Sequence, residues 1–527
     1  MFEIAEVGRT VSRKDFKKAA PLVRQELLEL QQRLLKEKGF RTILVFAGVD
    51  GAGKSDSVAL LNQWMDARWL STCAYDEPTN SEKDRPEFWR YWRDLPPRGR
   101  IGMFLSAWYS QPVLDRVHGA IDDSTFLKRL ERILAFETAL AEEGALIVKF
   151  WMHLSHEEQE KRLKSLEDDP LALARVSEKD WAHWRIYDRF IEAAEQVVAR
   201  TNIGKASWTI VEGSDPNYRS LKVTSTLLDA LHRKFDASPV SSTDVEGAVE
   251  KSAKPKKESK KNVSNADVEI AGGLPSSDIT ILNKLDMKKS VEKSVYETEL
   301  KELQSRLYNL HLLARDRGIS SILLFEGPDA AGKGGAIRRV TAALQPRNYQ
   351  VHGIAAPTED ELAQHYLWRF WRNLSRAGRI TVFDRSWYGR VLVERVEGFA
   401  SDGAWRRAYA EINDFESQLC DHGIVLLKYW IHITKDEQLK RFKQREKTAY
   451  KSWKLTDEDW RNRERWHDYE LAVHDMVQYT STGQAPWILI EGNDKRYARL
   501  KVLRSFCERL AASLDESCRE GLESAAQ

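Results

Sequence analysis

Two short stretches carry residue types and spacings suited to phosphate chemistry. The first is Gly327-Pro-Asp-Ala-Ala-Gly-Lys-Gly334, between an apolar run (Ser321–Phe325) and a helical segment expected over Gly335–Leu344. The apolar run is short, continuous and followed almost at once by Gly, the pattern of a buried parallel strand. A glycine loop that opens a helix turns several backbone N–H groups toward one point, where the helix dipole adds positive potential, so the point attracts phosphate. Lys333 supplies a mobile charge for terminal phosphoryl oxygens. The second stretch is Phe383-Asp-Arg-Ser-Trp-Tyr388, where the apolar strand Ile380–Phe383 ends in an acid and a base. An Asp at such a strand end can hold a divalent cation directly or through water.

Both stretches occur in a chain that is duplicated with a constant offset of 279 residues. Gly48-Val-Asp-Gly-Ala-Gly-Lys54 lies on Gly327–Lys333, and Phe88–Arg93 on Leu367–Arg372. Trp108-Tyr109 lies on Trp387-Tyr388, Lys149–His153 on Lys428–His432, and Glu212-Gly213 on Glu491-Gly492. A period this long means two whole domains.

The copies differ where chemistry is at stake. The first keeps Lys54-Ser55, whose hydroxyl suits Mg²⁺, whereas the second has Lys333-Gly334. Yet Asp384 and Arg385 face Leu105 and Ser106, and Arg390 faces Gln111. In the charged stretch from Lys440 to Lys454, Arg441 and Lys454 keep basic counterparts (Arg162, Arg175), while Arg445, Lys447 and Lys451 face Leu166, Asp168 and Ala172. Phosphoryl transfer rests on positioning and charge neutralisation, so these losses should silence the first copy and leave the second as the catalyst. Asp329 inside the loop can take over metal binding or orient the attacking group, which accounts for Gly334. The charged stretch lies where P-loop kinases carry a lid. Arg441 and Arg445, at i and i+4, repel unless an anion lies between them. The aromatic set Trp368, Phe370 and Trp371 persists in the first copy, so it reads as core or interface. His153 and His432 read as strand-end residues.

Each copy has the same order of elements: a helix, a strand, the phosphate loop, an aromatic helix (Arg85–Leu95; Asp360–Leu374), the second strand and a long helix. A third strand (Ala145–Leu154; Ile424–Ile433), the charged stretch, a last strand (Trp208–Glu212; Trp487–Glu491) and a final helix follow. Alternating strands and helices predict an α/β fold, a parallel sheet covered on both faces, in each of two tandem P-loop kinase-like domains. The domains are expected at 1–236 and 290–527, joined by a disordered Ser-, Lys- and Glu-rich linker at 237–289. A net charge of +2 gives no global attraction to a polyanion, so any such partner must be met by local clusters. Four scattered cysteines without metal spacing, and no signal-like or membrane-length apolar run, fit a cytoplasmic protein. Neither nucleic acid nor membrane is expected as a partner.

The combination of Gly327–Gly335, Phe383-Asp-Arg-Ser-Trp-Tyr-Gly-Arg390, Glu437–Phe442, Trp453–Thr456 and Ala485-Pro-Trp487 resembles polyphosphate kinase family 2. The tandem layout is similar to the two-domain members that move phosphate from polyphosphate to AMP. The resemblance implies a thymidylate-kinase-like three-layer α/β/α fold with a helical lid. It implies Mg²⁺-dependent (or Mn²⁺-dependent) transfer of the terminal phosphoryl of inorganic polyphosphate to AMP, giving ADP. By that resemblance Asp329, Lys333, Asp384 and Arg385 form the centre, with Asp384 and Asp329 on the metal. Gly327, Ala331, Gly332 and Gly334 cradle phosphate, and Arg390, Arg441, Arg445, Lys451 and Lys454 hold polyphosphate from the lid. The first copy would be structural, mimicking half of a dimer, and the chain could further form a homo-oligomer. An ATP-dependent nucleotide kinase on the same fold, or a non-catalytic polyphosphate- or nucleotide-binding scaffold, are the alternatives.

Overall fold

The computed structural model describes residues 1–167, 176, 178–237, 280–447 and 457–526. Each copy holds one five-stranded, wholly parallel sheet. In the first copy β1 (Thr42–Gly48), β2 (Leu70–Ala74), β3 (Ile101–Leu105), β4 (Leu146–His153) and β5 (Trp208–Glu212) run in the spatial order β2-β3-β1-β4-β5. In the second, β6 (Ser321–Glu326), β7 (Tyr349–Gly353), β8 (Ile380–Asp384), β9 (Val425–His432) and β10 (Trp487–Glu491) repeat it as β7-β8-β6-β9-β10. The central strands are buried on both faces, as their unbroken apolar runs require. The chain leaves β6 toward one edge and returns past it to the other, so the order reverses beside β6 and β8. Ligands bind α/β sheets in the crevice at such a switch point, beyond the carboxyl ends of the strands.

The edge strands β2 and β7 were not anticipated. Both are short and only partly buried, and their polar residues (Ser71 and Thr72; Gln350 and His352) give no apolar run. The aromatic helices are shorter than expected, Trp89–Arg93 and Trp368–Arg372. The linker assignment also needs correcting at its end. Thr280–Lys289 is placed, with a 3-10 turn at Ile281–Lys284 and Leu282 buried against the helix Trp466–Thr480. Lys289 pairs with Glu491 at 2.9 Å. The apolar residues Ile281, Leu282 and Leu285 pack on the core, as Phe2 does on Trp151 in the first copy. The rest of the linker lies outside the described residues.

Each core contains a fully buried lysine. Lys428 Nζ donates to Glu416 at 2.6 Å, to the Tyr388 hydroxyl at 3.0 Å and to the Thr480 carbonyl at 2.6 Å. Trp387 Nε1 and the Tyr388 hydroxyl donate to the other Glu416 oxygen at 3.0 and 2.7 Å. Lys149, Glu137, Tyr109, Trp108 and Thr201 repeat this arrangement. Burying a charge demands full pairing, and here every partner is supplied.

The copies meet through the aromatic helices. Trp92 stacks on Trp371 with ring centres 6.0 Å apart. These two residues are equivalents, so they sit on a pseudo-twofold axis. Arg85 donates to the Leu374 carbonyl at 3.1 Å while Gln364, its equivalent, donates to the Leu95 carbonyl at 3.2 Å. Reciprocal contacts of this kind are the mark of an isologous dimer interface, here built within one chain. The tryptophans are therefore interface residues.

Polar groups are buried there too. Arg41 donates to Gln364 Oε1 at 2.6 Å, and Glu143 lies 4.0 Å from Arg41 and 3.9 Å from His365. Burial pushes the Glu143 carboxyl up to about 7, against the pull of Arg41, Arg98 and Arg390. An acid raised in the fold adds stability that is complete below its ordinary value and lost as pH rises toward 7. Glu143→Gln should therefore change little at pH 4.5 and stabilise by about 1–3 kcal/mol at pH 8. Urea denaturation at the two pH values checks this; equal effects at both would refute it.

Candidate active site

The phosphate loop is built by backbone geometry that its sequence permits. Gly327 has φ 147°, and a Cβ there would stand 2.4 Å from the Ile431 carbonyl. Gly332, at φ 117°, caps the helix Lys333–Thr341. Ala330 and Arg385 also take left-handed φ values, 63° and 66°. Such strain gathers at functional sites. Arg385 is held in its turn by Glu326, which the sequence reading missed. Glu326 Oε1 accepts from Ser386 N at 2.7 Å and Ser386 Oγ at 2.8 Å. In the first copy both positions are alanine (Ala47, Ala107).

Lys333 Nζ folds back to the Gly327 carbonyl at 2.6 Å, and burial lowers its pKa. Asp329 is gripped by Arg385 Nη2 at 2.9 Å and Asn462 Nδ2 at 3.0 Å. Burial works to raise its pKa, but Lys333, Arg385 and Asn462 outweigh that and hold it low. The Asp384 carboxylate makes no ion pair among the described residues. A Cβ on Gly334 would stand 4.0 Å from Asp384 Oδ2, so the space where a loop hydroxyl normally sits is open beside this acid.

Two cavities flank the loop. One is a cleft of about 1080 Å³ whose lining includes Lys333, Gly334, Asp384, Arg385, Arg445 and Arg499. Its walls carry seven bases (Lys333, Arg338, Arg385, Arg441, Arg445, Lys495, Arg499) against three acids (Asp329, Asp384, Asp459), so its field attracts polyanions. Sequence reading missed Arg338, Lys495 and Arg499. Their equivalents in the first copy are Ala59, Pro216 and Ser220, so the same 279-residue comparison carries the signal. The second cavity, on the other side of the loop, is walled by Leu392, Val393, Trp430, His432, Trp466 and Tyr469. His432 is buried, and desolvation lowers its pKa to about 4. It is thus a neutral wall residue of this cavity as well as a strand end. Asp329 and Arg385 line both spaces.

Two expected residues are engaged by the protein itself. Arg441 is not a free lid base. It is buried, and its guanidinium donates to Glu437, to the Ala330 and Ala331 carbonyls, and to the Gly492 and Asn493 carbonyls. It ties the phosphate loop to the loop after β10, and Glu437 with four carbonyl dipoles removes the need for an anion between it and Arg445. Arg390 is off the cleft; it pairs with Glu394 at 3.0 Å and stacks on Tyr366 at the interface. Arg445 does line the cleft, whereas Lys451 and Lys454 lie outside the described residues.

In the first copy the loop is differently tethered. Arg219 donates to the Gly213 carbonyl at 2.7 Å and to Asp56 at 3.0 Å, and its guanidinium lies 2.3 Å from where a Cβ on Gly53 would be. A resident cation therefore packs over this loop. Lys54 is paired with Asp50 at 3.1 Å, and Asp50 with His183 at 2.7 Å.

The architecture is a P-loop kinase-like α/β fold in duplicate. The profile of the family Polyphosphate kinase 2 (PPK2) matches residues 10–238 and 290–517. The chain belongs to the polyphosphate kinase 2 family. It is 45% identical over 513 residues to a polyphosphate:AMP phosphotransferase of Pseudomonas aeruginosa, covering 97% of this chain and 99% of the relative. It is 35% identical to the protein of that name from Acinetobacter johnsonii over 93% of this chain and 96% of the relative. A solved Pseudomonas aeruginosa PA01 structure assigned to polyphosphate kinase 2 superposes with a TM-score of 0.84 at 42% identity, covering 98% of this chain and all of that one. Among the described residues no helix is long and apolar enough to cross a membrane.

Proposed function

We propose that this chain transfers the terminal phosphoryl group of inorganic polyphosphate to AMP, giving ADP, and that residues 290–527 hold the active site. The strongest support is topological. Asp329 and Arg385 line both the basic cleft and the aromatic-walled cavity, so a donor in one and an acceptor in the other meet at these two side chains. The cleft takes polyphosphate, whose recognition needs charge and no base reading. The cavity, about 100 Å³ as it stands, widens to take the nucleoside of AMP, with Trp466, Tyr469 and Trp430 around it.

Lys333 and Arg385 take up charge on the transferring phosphoryl, and the loop N–H groups hold its neighbour. Asp329 orients the attacking phosphate of AMP and accepts its proton where one is present. Asp384 is the better ligand for Mg²⁺, because Asp329 is already engaged by Arg385 and Asn462. One or two carboxylates with substrate phosphates and water are the donor set Mg²⁺ prefers, and the open space at Gly334 accommodates it. When bound, the cation neutralises charge shared by donor and acceptor oxygens. The first copy, lacking Glu326, Asp384, Arg385, Arg338 and Arg499 and carrying Arg219 over its loop, serves the assembly.

The test is ADP formation from AMP with polyphosphate or ATP as donor, with Mg²⁺ and with EDTA. Polyphosphate should be used at least 100-fold better than ATP, and EDTA should abolish the reaction. Preference for ATP would replace this reading with an ordinary nucleotide kinase. Arg338→Ala with Arg499→Ala should raise KM for long polyphosphate about tenfold or more and flatten its salt dependence, with KM for AMP unchanged.

A further inference from the structure

Asp329 is oriented by a relay that no motif includes. One oxygen accepts from Arg385 and the other from Asn462 Nδ2, and Asn462 Oδ1 in turn accepts the Tyr469 hydroxyl at 3.3 Å. A carboxylate can only accept, so the amide NH₂ must face Asp329 and the amide oxygen must face Tyr469. The relay therefore has one polarity. Burial, with Glu397 nearby, raises the Tyr469 pKa, so its hydroxyl remains a donor.

The helix that carries Asn462, Asp457–Glu464, is itself anchored. Arg461 pairs with Glu397 at 3.2 Å, and Arg463 reaches Gln438 Oε1 at 3.3 Å. Gln438 Nε2 donates to the Asp329 carbonyl at 3.0 Å, so backbone and side chain of Asp329 are held from the same side. The first copy keeps only the first contact: His183, in the place of Asn462, bonds one Asp50 oxygen at 2.7 Å and Lys54 the other at 3.1 Å, while Phe190 replaces Tyr469 and leaves His183 without its orienting hydroxyl.

We propose that Asn462, oriented by Tyr469, is the positioning residue of this site, fixing the Asp329 carboxylate at the junction of the two cavities so that the acceptor phosphate meets it in one geometry. This rests on the role given to Asp329 above. Arg385 has a second demand on it, the transferring phosphoryl, whereas Asn462 serves Asp329 throughout. Asn462 exchanges no proton; its amide acts on the substrate through Asp329.

The experiment is a double-mutant cycle on the full chain, with ADP formation from polyphosphate and AMP as readout and melting temperature and AMP calorimetry alongside. Asn462→Ala should lower kcat about 10–100-fold, the usual cost of losing the partner that orients a functional group. AMP stoichiometry and KM for polyphosphate should stay unchanged. In an Asp329→Asn background the same replacement should cost nothing more, because a group that acts through Asp329 has nothing left to act through. Tyr469→Phe, which removes a single oxygen atom, should lower kcat in the wild type and leave the Asn462→Ala protein unaffected. It stands in if Asn462→Ala fails to fold. Full loss in Asp329→Asn with wild-type kcat in both Asn462→Ala and Tyr469→Phe would overturn the relay and leave the site reading intact. Multiplying losses in the double variant would also overturn it. Wild-type activity in Asp329→Asn would instead overturn the site reading itself.

Discussion

Asp384→Asn should lower kcat for ADP formation by about 10²–10³-fold while leaving the melting temperature within a degree or two of wild type. The carboxylate ends β8 and makes no ion pair among the described residues; its charge acts through space on Lys333 and Arg385, both residues of the site, so the fold depends on it little. On the reading proposed above, its place beside the open space at Gly334 would let it hold the cation. The matching control is Lys54→Ala in the first copy. Lys54 is folded onto its own loop and paired with Asp50, Arg219 packs over Gly53, and no acid or base follows β3. That variant should keep wild-type kcat and KM. Activity retained in Asp384→Asn and lost in Lys54→Ala would move the chemistry to residues 1–236 and refute the division of labour proposed here.

The second large effect is on stability. Glu416→Ala should destabilise the second copy by about 3–5 kcal/mol, because it leaves the Lys428 ammonium buried without its counter-charge. The pair is 2.6 Å apart with both side chains at 1% exposure or less, so solvent cannot compensate. The Trp387 and Tyr388 donors would be orphaned as well. Both residues directly follow the Asp384-Arg385-Ser386 turn, so part of the activity should fall with the fold. Urea unfolding, followed by tryptophan fluorescence, checks this. Replacing both partners by apolar residues of similar size, Glu416→Leu with Lys428→Met, should recover most of the loss. If the single variant is as stable as wild type, the pair is not the internal brace described above. Glu137→Ala should do the same in the first copy, where Lys149 and Glu137 are also 2.6 Å apart and fully buried.

The sequence carried the duplication, the parallel α/β architecture, the phosphate loop and the loss of Asp384 and Arg385 from the first copy. Each is a local feature. A strand buried on both faces writes a continuous apolar run, a glycine loop writes its own backbone requirement, and an offset of 279 needs no structure to be counted. What the sequence could not carry was the state of each charge. Arg441 and Arg445 look alike one helical turn apart, yet Arg441 is sealed by five acceptors and Arg445 faces the cleft. Arg390 follows the signature Asp384–Tyr388 and turns to the interface instead. Arg338, Arg499 and Asn462 stand alone on separate helices without a motif, and Glu326 reads as the last residue of a strand. They become a site only because β6 and β8 end on one edge of the sheet and bring residues 326 and 384 beside the helix that carries Asn462. Burial and hydrogen-bond partners are set by that convergence, which joins segments more than a hundred residues apart. No local pattern encodes it, and so the tertiary structure alone decides which cations are free to meet phosphate.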